Sequence, residues 1–120
     1  MKQILIVEDD LDIADNLKHL LEIEGYQTHI CRDGREALNR LKSDEPLPGL
    51  ILLDLMMPVM DGFQFYEAQK KDSRFSKIPI VIMTAGGNAE AKIAKLGADA
   101  YFRKPLDLEK LFATIACLIG

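Results

Sequence analysis

No apolar run in the chain is longer than a few residues, far short of the ~20 that a bilayer-crossing helix needs. The N-terminal residues also lack the basic-then-apolar order of a secretory signal. A membrane span and a secreted form are therefore not expected, and the expectation is a cytoplasmic protein. Cysteine is scarce. Cys31 and Cys117 are the only two; they have no CxxC spacing and no adjacent histidine, so they read as reduced core thiols rather than a staple or a metal site. Of the two histidines, His19 is expected on the solvent side of a helix and His29 on an edge strand. Neither is placed near reactive chemistry. Positive charge is in deficit, with 15 Lys and Arg against 19 Asp and Glu and a net charge of −4, a balance that repels nucleic acid. Lys92, Lys95, Arg103, Lys104 and Lys110 read as solvated faces. The Gly-Gly-Asn after Ala85 lacks the spacing and the following Lys-Ser/Thr of a phosphate-binding loop. There is no internal repeat, linker or low-complexity segment.

What is present is an ordinary globular mixture, with 48% hydrophobic and 28% charged residues over 120 positions. That length suits one domain, residues 1–120, burying roughly two-thirds of the surface of the unfolded chain. Met1, directly ahead of the first strand, reads as a natural N-terminus. Five short apolar runs recur: QILIV (Gln3 to Val7), YQTHIC (Tyr26 to Cys31), LILL (Leu50 to Leu53), IPIVIMT (Ile78 to Thr84) and DAYFR (Asp99 to Arg103). The first, third and fourth are continuously aliphatic, as strands covered on both faces must be; the mixed second and fifth suit edges. Helical patterns separate them. Ile13, Leu17, Leu20, Leu21 and Glu24 trace the first, Ala37, Leu38 and Leu41 the second, and Phe63, Phe65, Tyr66 and Ala68 the third, capped by Asp61. An alanine-rich fourth helix is expected from Ala89 to Leu96, and a fifth along Leu108, Leu111, Phe112, Ile115 and Ile119, capped by Asp107. Alternation of strand and helix predicts an α/β fold, a single doubly wound parallel sheet with right-handed crossovers.

Such sheets gather the side chains at the C-terminal ends of their central strands into one crevice, where ligands bind. Glu8, Asp9 and Asp10 stand there after the first strand, Asp54 after the third, Thr84 after the fourth and Lys104 after the fifth. Two carboxylates about 5 Å apart repel by roughly 3 kcal/mol at an effective dielectric near 20, so a cluster of them requires a positive partner. Lys104 offers one charge. A hard divalent ion does better, and Mg²⁺ accepts a couple of carboxylates, a carbonyl, waters and phosphate oxygens. A Mg²⁺ site of Asp9 and Asp54 with Glu8 close by is expected, Mn²⁺ being an alternative. Asp10, Asp12 and Asp15 instead read as helix-start residues that cap N–H groups and favour the helix dipole. Beside a cation, Asp54 has the chemistry of an aspartyl-phosphate nucleophile, Lys104 of a point charge for phosphoryl oxygens, and Thr84 of a hydrogen-bond donor to them.

The combination ILIVEDD, LLDLMMPVMDG, IVIMTA and GADAYFRKP resembles the response-regulator receiver domain of two-component signalling, of the chemotaxis-regulator kind, over essentially the full length. Each piece alone is weak, and in this order and spacing they are specific. The resemblance implies a flavodoxin-like sheet of order 2-1-3-4-5 with five helices, two on one face and three on the other. It implies that Asp54 takes a phosphoryl group from a phosphohistidine on a sensor histidine kinase or histidine phosphotransfer protein. Mg²⁺ would then be bound by Asp9, Asp54 and the backbone carbonyl of Met56, and by Glu8 through water. Thr84 and Tyr101 are the implied switch pair, which couples the site to the surface of the fourth helix, fifth strand and fifth helix, where a downstream effector or output domain binds. The Lys104–Pro105 bond is implied to be cis. A monomer that dimerises on phosphorylation follows from the same resemblance. Glu8 departs from the more usual aspartate, and Met56 and Gly86 occupy the positions that tune access of hydrolytic water.

A protein of this kind is not an enzyme beyond catalysing its own phosphorylation and dephosphorylation. Two rival readings are a phosphorylation-independent binding module, opposed by the intact set of Glu8, Asp9, Asp54, Thr84 and Lys104, and an aspartyl-nucleophile phosphatase. The latter usually places a second aspartate two residues after the nucleophile, where this chain has Met56.

Overall fold

A computed structural model gives the structure of the protein and describes residues 2–55, 57, 59–85 and 100–119. Five strands, β1 (Gln3–Val7), β2 (Gln27–Cys31), β3 (Leu50–Asp54), β4 (Ile80–Thr84) and β5 (Ala100–Arg103), form one parallel sheet in the order β2-β1-β3-β4-β5. All five expected strands are present in the expected order. The three aliphatic runs occupy the interior of the sheet, and every residue of β3 and β4 is buried.

Among the described residues there are four helices: α1 (Leu11–Ile23), α2 (Gly34–Lys42), α3 (Gly62–Lys71) and α4 (Leu108–Ile119). The predicted helix from Ala89 to Leu96 lies outside the described residues. The period of two in a strand sorts the core into two halves. Leu5, Val7, Ile51, Leu53, Ile80 and Ile82 face α2 and α3, packing on Ala37, Leu38, Leu41, Phe65 and Tyr66. Ile4, Ile6, Leu50, Leu52, Val81 and Met83 face α1 and α4, packing on Ala14, Leu17, Leu21, Leu111, Ile115 and Ile119. Each fully buried aliphatic side chain contributes roughly 1.5–3 kcal/mol relative to exposure, so this double layer dominates the stability.

Acidic caps start the helices. Asp10 Oδ1 accepts from the N–H groups of Asp12 and Ile13, Asp33 Oδ1 from Glu36, and Asp107 Oδ1 from Lys110. Asp61 forms a full capping box with Gln64. Helix α1 ends at Gly25, whose φ of 97° is costly for any residue with a Cβ. Buried Gln69 donates from Nε2 to the carbonyls of Phe75 and Ile78, which ties α3 to the segment leading into β4.

The thiols differ from the reading of both as core residues. Cys31 is buried at the end of β2, whereas Cys117 is exposed. Leu111, Ile115 and Ile119 repeat every four residues and define the buried stripe of α4; Cys117 falls between them on the solvent side. Burial first, and then the Glu36 charge, pushes the Cys31 thiol from 9.0 up to about 12. Iodoacetamide at mildly alkaline pH is therefore expected to add one label per folded chain, at Cys117, and a second only on unfolding, as read by intact mass. Because the unfolded thiol ionises above pH 9 while the folded one does so near 12, this group's contribution to stability is complete below pH 9 and declines as pH rises through that window.

Candidate metal and phosphoryl site

Strands β1 and β3 are adjacent, with Val7 opposite Leu53. The residues that follow these positions, Glu8 and Asp54, consequently emerge side by side at the C-terminal edge of the sheet. Carboxylate oxygens of Glu8, Asp9 and Asp54 lie within 4.8 Å of one another. Glu8 and Asp54 are buried, at 0% and 3% exposure, while Asp9 is exposed. At that spacing each carboxylate pair repels by about 3 kcal/mol at an effective dielectric near 20.

Lys104 supplies the compensating charge. Its Nζ donates to Glu8 Oε1 at 2.6 Å and stands 3.6 Å from Asp54 Oδ1. Burial alone works against the ammonium, but the Glu8 hydrogen bond together with the Asp54 and Glu8 charges outweighs it, holding Lys104 above the usual lysine value of 10.5. The backbone fixes both ends of this pair. The Glu8 N–H donates to the Cys31 carbonyl at 2.9 Å, and the Lys104 N–H to the Thr84 carbonyl at 2.7 Å. One lysine against three carboxylates leaves the cluster short of positive charge. Hard oxygen donors of this number and spacing fit a divalent cation of the Mg²⁺ type.

Thr84, buried at the end of β4, lies beside β5 with Arg103 as its register partner. Its carbonyl anchors Lys104. Tyr101 is not in the crevice; it points outward from β5 and is 45% exposed. The carbonyl of Met56 and the backbone at Gly86 lie outside the described residues. The Lys104–Pro105 bond is cis. Next to Lys104 a groove of about 480 Å³ runs between α1, at Asp12, Ile13, Asn16 and Leu17, and the segment Pro105, Leu106 and Leu108.

These features are those of a known family. The pattern of the response regulator receiver domain matches residues 4–116. The chain belongs to the response-regulator receiver family. It is 38% identical over 120 residues to the phosphate regulon transcriptional regulatory protein PhoB of Escherichia coli (strain K12), covering 98% of this chain and 52% of PhoB. The response regulator MprA of Mycolicibacterium vanbaalenii is 36% identical over 119 residues, 98% of this chain and 50% of MprA. The chain thus spans about half the length of these curated relatives. Among solved structures, the signal receiver domain of a signal transduction histidine kinase from Syntrophus aciditrophicus superposes with a TM-score of 0.90 at 35% identity, covering 99% of this chain and 90% of that one. The response regulator TrrA from Thermotoga maritima, solved in complex with Mg²⁺ and BeF, superposes at 0.87 with 29% identity, covering 98% of this chain and 99% of that one. The fold is the flavodoxin-like receiver fold, and the family's role is phosphoacceptance in two-component signalling.

Two features of this receiver's site were not anticipated from its sequence. One is the direct Glu8–Lys104 hydrogen bond: the sequence places Lys104 among the carboxylates as a compensating charge and toward phosphoryl oxygens, without singling out Glu8 as its partner. The other is Gly62, the first residue of α3. A Cβ there would come within 2.6 Å of the Asp54 carbonyl oxygen and of Leu55 Cα. Only glycine lets α3 begin so close to the backbone of Asp54, and the Asp61-Gly62 pair is the available signal. In the same loop Val59 has a φ of 67°, a left-handed conformation that costs a β-branched residue at least ~1–2 kcal/mol. Thermal melts should separate the two positions. Gly62→Ala is expected to cost about 1–3 kcal/mol by overpacking. Val59→Gly, which relieves strain at the expense of glycine's extra entropy, should gain roughly 0.5–1 kcal/mol.

Proposed function

We propose that residues 1–120 form a single receiver domain that takes a phosphoryl group onto Asp54 in a Mg²⁺-dependent reaction. The observation that carries this reading is the convergence of Glu8, Asp9, Asp54 and Lys104 at one place on the C-terminal edge of the sheet. An Asp54 carboxylate oxygen attacks phosphorus; the new O–P bond forms as the P–N bond of a phosphohistidine breaks, and the histidine leaves with the electron pair. Asp9, Asp54 and the Met56 carbonyl are the residues assigned to hold Mg²⁺, with Glu8 acting through water and Mn²⁺ as a substitute. When bound, the ion offsets negative charge on the attacking and transferred oxygens. Lys104 pairs with a phosphoryl oxygen, and the Thr84 hydroxyl donates to another.

The donor is a sensor histidine kinase or a histidine phosphotransfer protein, approaching the open C-terminal edge beside the groove at α1. Thr84 then moves toward the phosphoryl group and Tyr101 turns inward from its exposed position, changing the surface of the fourth helix expected from Ala89 to Leu96, β5 and α4. A downstream effector protein or output domain reads that surface. The reaction is the protein's own phosphorylation and dephosphorylation, without a small-molecule substrate. A cytoplasmic location, no direct contact with nucleic acid or membrane, and a monomer that pairs on phosphorylation complete the reading. No helix among the described residues is long and apolar enough to cross a membrane.

Incubation with acetyl phosphate and Mg²⁺ should give an acid-stable, base-labile adduct by intact mass. Labelling of Asp54→Asn equal to the parent, or labelling that survives chelation of divalent metal, would refute the assignment. Lys104→Ala is expected to accept the phosphoryl group yet transmit it poorly. Phosphorylation-induced amide shifts along Ala100–Arg103 and Leu108–Ile119 should shrink in that variant, and shifts as large as in the parent would remove Lys104 from the switch.

A further inference from the structure

Glu8 is a fully buried carboxylate with both oxygens engaged. Oε1 accepts from Lys104 Nζ at 2.6 Å and Oε2 from the Asp10 N–H at 3.3 Å. The same ammonium is 3.6 Å from Asp54 Oδ1, beyond ordinary hydrogen-bond length. Lys104 thus pairs with both buried acids and holds Glu8 more closely, by about an ångström, than Asp54. A short charge-assisted hydrogen bond outweighs a longer ion pair in the same surroundings. Both backbones are pinned, Glu8 on the Cys31 carbonyl and Lys104 on the Thr84 carbonyl, so side-chain length decides which acid the ammonium reaches.

We propose that Glu8 is a positioning residue for Lys104: it holds the ammonium aside from Asp54 until a phosphoryl group arrives there, and the extra methylene of glutamate over aspartate is what makes this hold possible. The inference rests on the phosphoacceptor reading of Asp54. Shortening Glu8 to aspartate draws its carboxylate back by about 1.5 Å, the length of one carbon–carbon bond. With its grip broken, Lys104 settles on Asp54 and competes with a cation for that carboxylate. The effect of Glu8 on cation binding is then transmitted through Lys104. If instead Glu8 acted on the cation only through water, its shortening would matter equally with or without the lysine.

A double-mutant cycle separates the two. Mg²⁺ affinity is measured by isothermal titration calorimetry on the parent, Glu8→Asp, Lys104→Met and the double variant. Glu8→Asp alone should weaken Mg²⁺ roughly tenfold, and less than about twofold when Lys104 is already methionine, the ammonium being a nearby like charge that only the first comparison relocates. In metal-free protein the Lys104 Cε resonance should move in Glu8→Asp as the ammonium shifts toward Asp54. Equal weakening in both backgrounds, or an unmoved Lys104 resonance in Glu8→Asp, overturns the positioning role alone. Absence of Mg²⁺ binding by the parent overturns the phosphoacceptor reading and this inference together. If Glu8→Asp does not fold, Glu8→Ala replaces it in the same cycle with the same expected coupling.

Discussion

Three carboxylates packed within 4.8 Å of one another repel strongly, and the C-terminal edge of the sheet is organised around that repulsion. Two of the three are buried, so water does little to screen them. The lysine that answers them comes from the far end of the chain, 96 residues after Glu8. Its ammonium leaves the cluster under-neutralised. That residual negative potential fits a divalent cation of the Mg²⁺ type.

The sheet is what allows such a cluster to exist. Parallel strands end at the same edge, so that Glu8, just after β1, and Asp54, at the end of β3, emerge together while the apolar residues of β1, β3 and β4 pack on both faces of the sheet. The acids just beyond the cluster have other duties: Asp10 caps α1 and also donates its N–H to Glu8, and Asp61 caps α3 while the following Gly62 brings that helix against the Asp54 backbone. Capping acids and clustered carboxylates thus share one edge. The free N–H groups at helix N-termini favour negative charge there.

Much of this was legible in the chain. Continuous aliphatic runs stated which strands are covered on both faces, and strand–helix alternation stated that they are parallel. The lone Asp54 at the end of LILL marked the crevice because a carboxylate in that setting requires partners. Cys117 was misread because its neighbours in sequence are apolar, whereas helical geometry turns it away from the stripe of Leu111, Ile115 and Ile119. Tyr101 stands outward on β5, the position from which the implied switch would turn it inward. The order of the sheet and the cis Lys104–Pro105 bond were expected only through resemblance to a family, since alternation alone is compatible with more than one strand order.

The sequence by itself determined the fold class, the strand identities, the caps at Asp10, Asp61 and Asp107 and the meeting of Glu8, Asp9, Asp54 and Lys104, because these follow from periodicity, capping chemistry and the common edge of parallel strands. Tertiary structure alone decided that Lys104 grips Glu8 at 2.6 Å while standing 3.6 Å from Asp54, and that Gly62 is required by a backbone contact. A four-carbon lysine stem reaches any of several acids in one crevice. Which one it holds depends on differences of about an ångström that residue type and spacing do not encode.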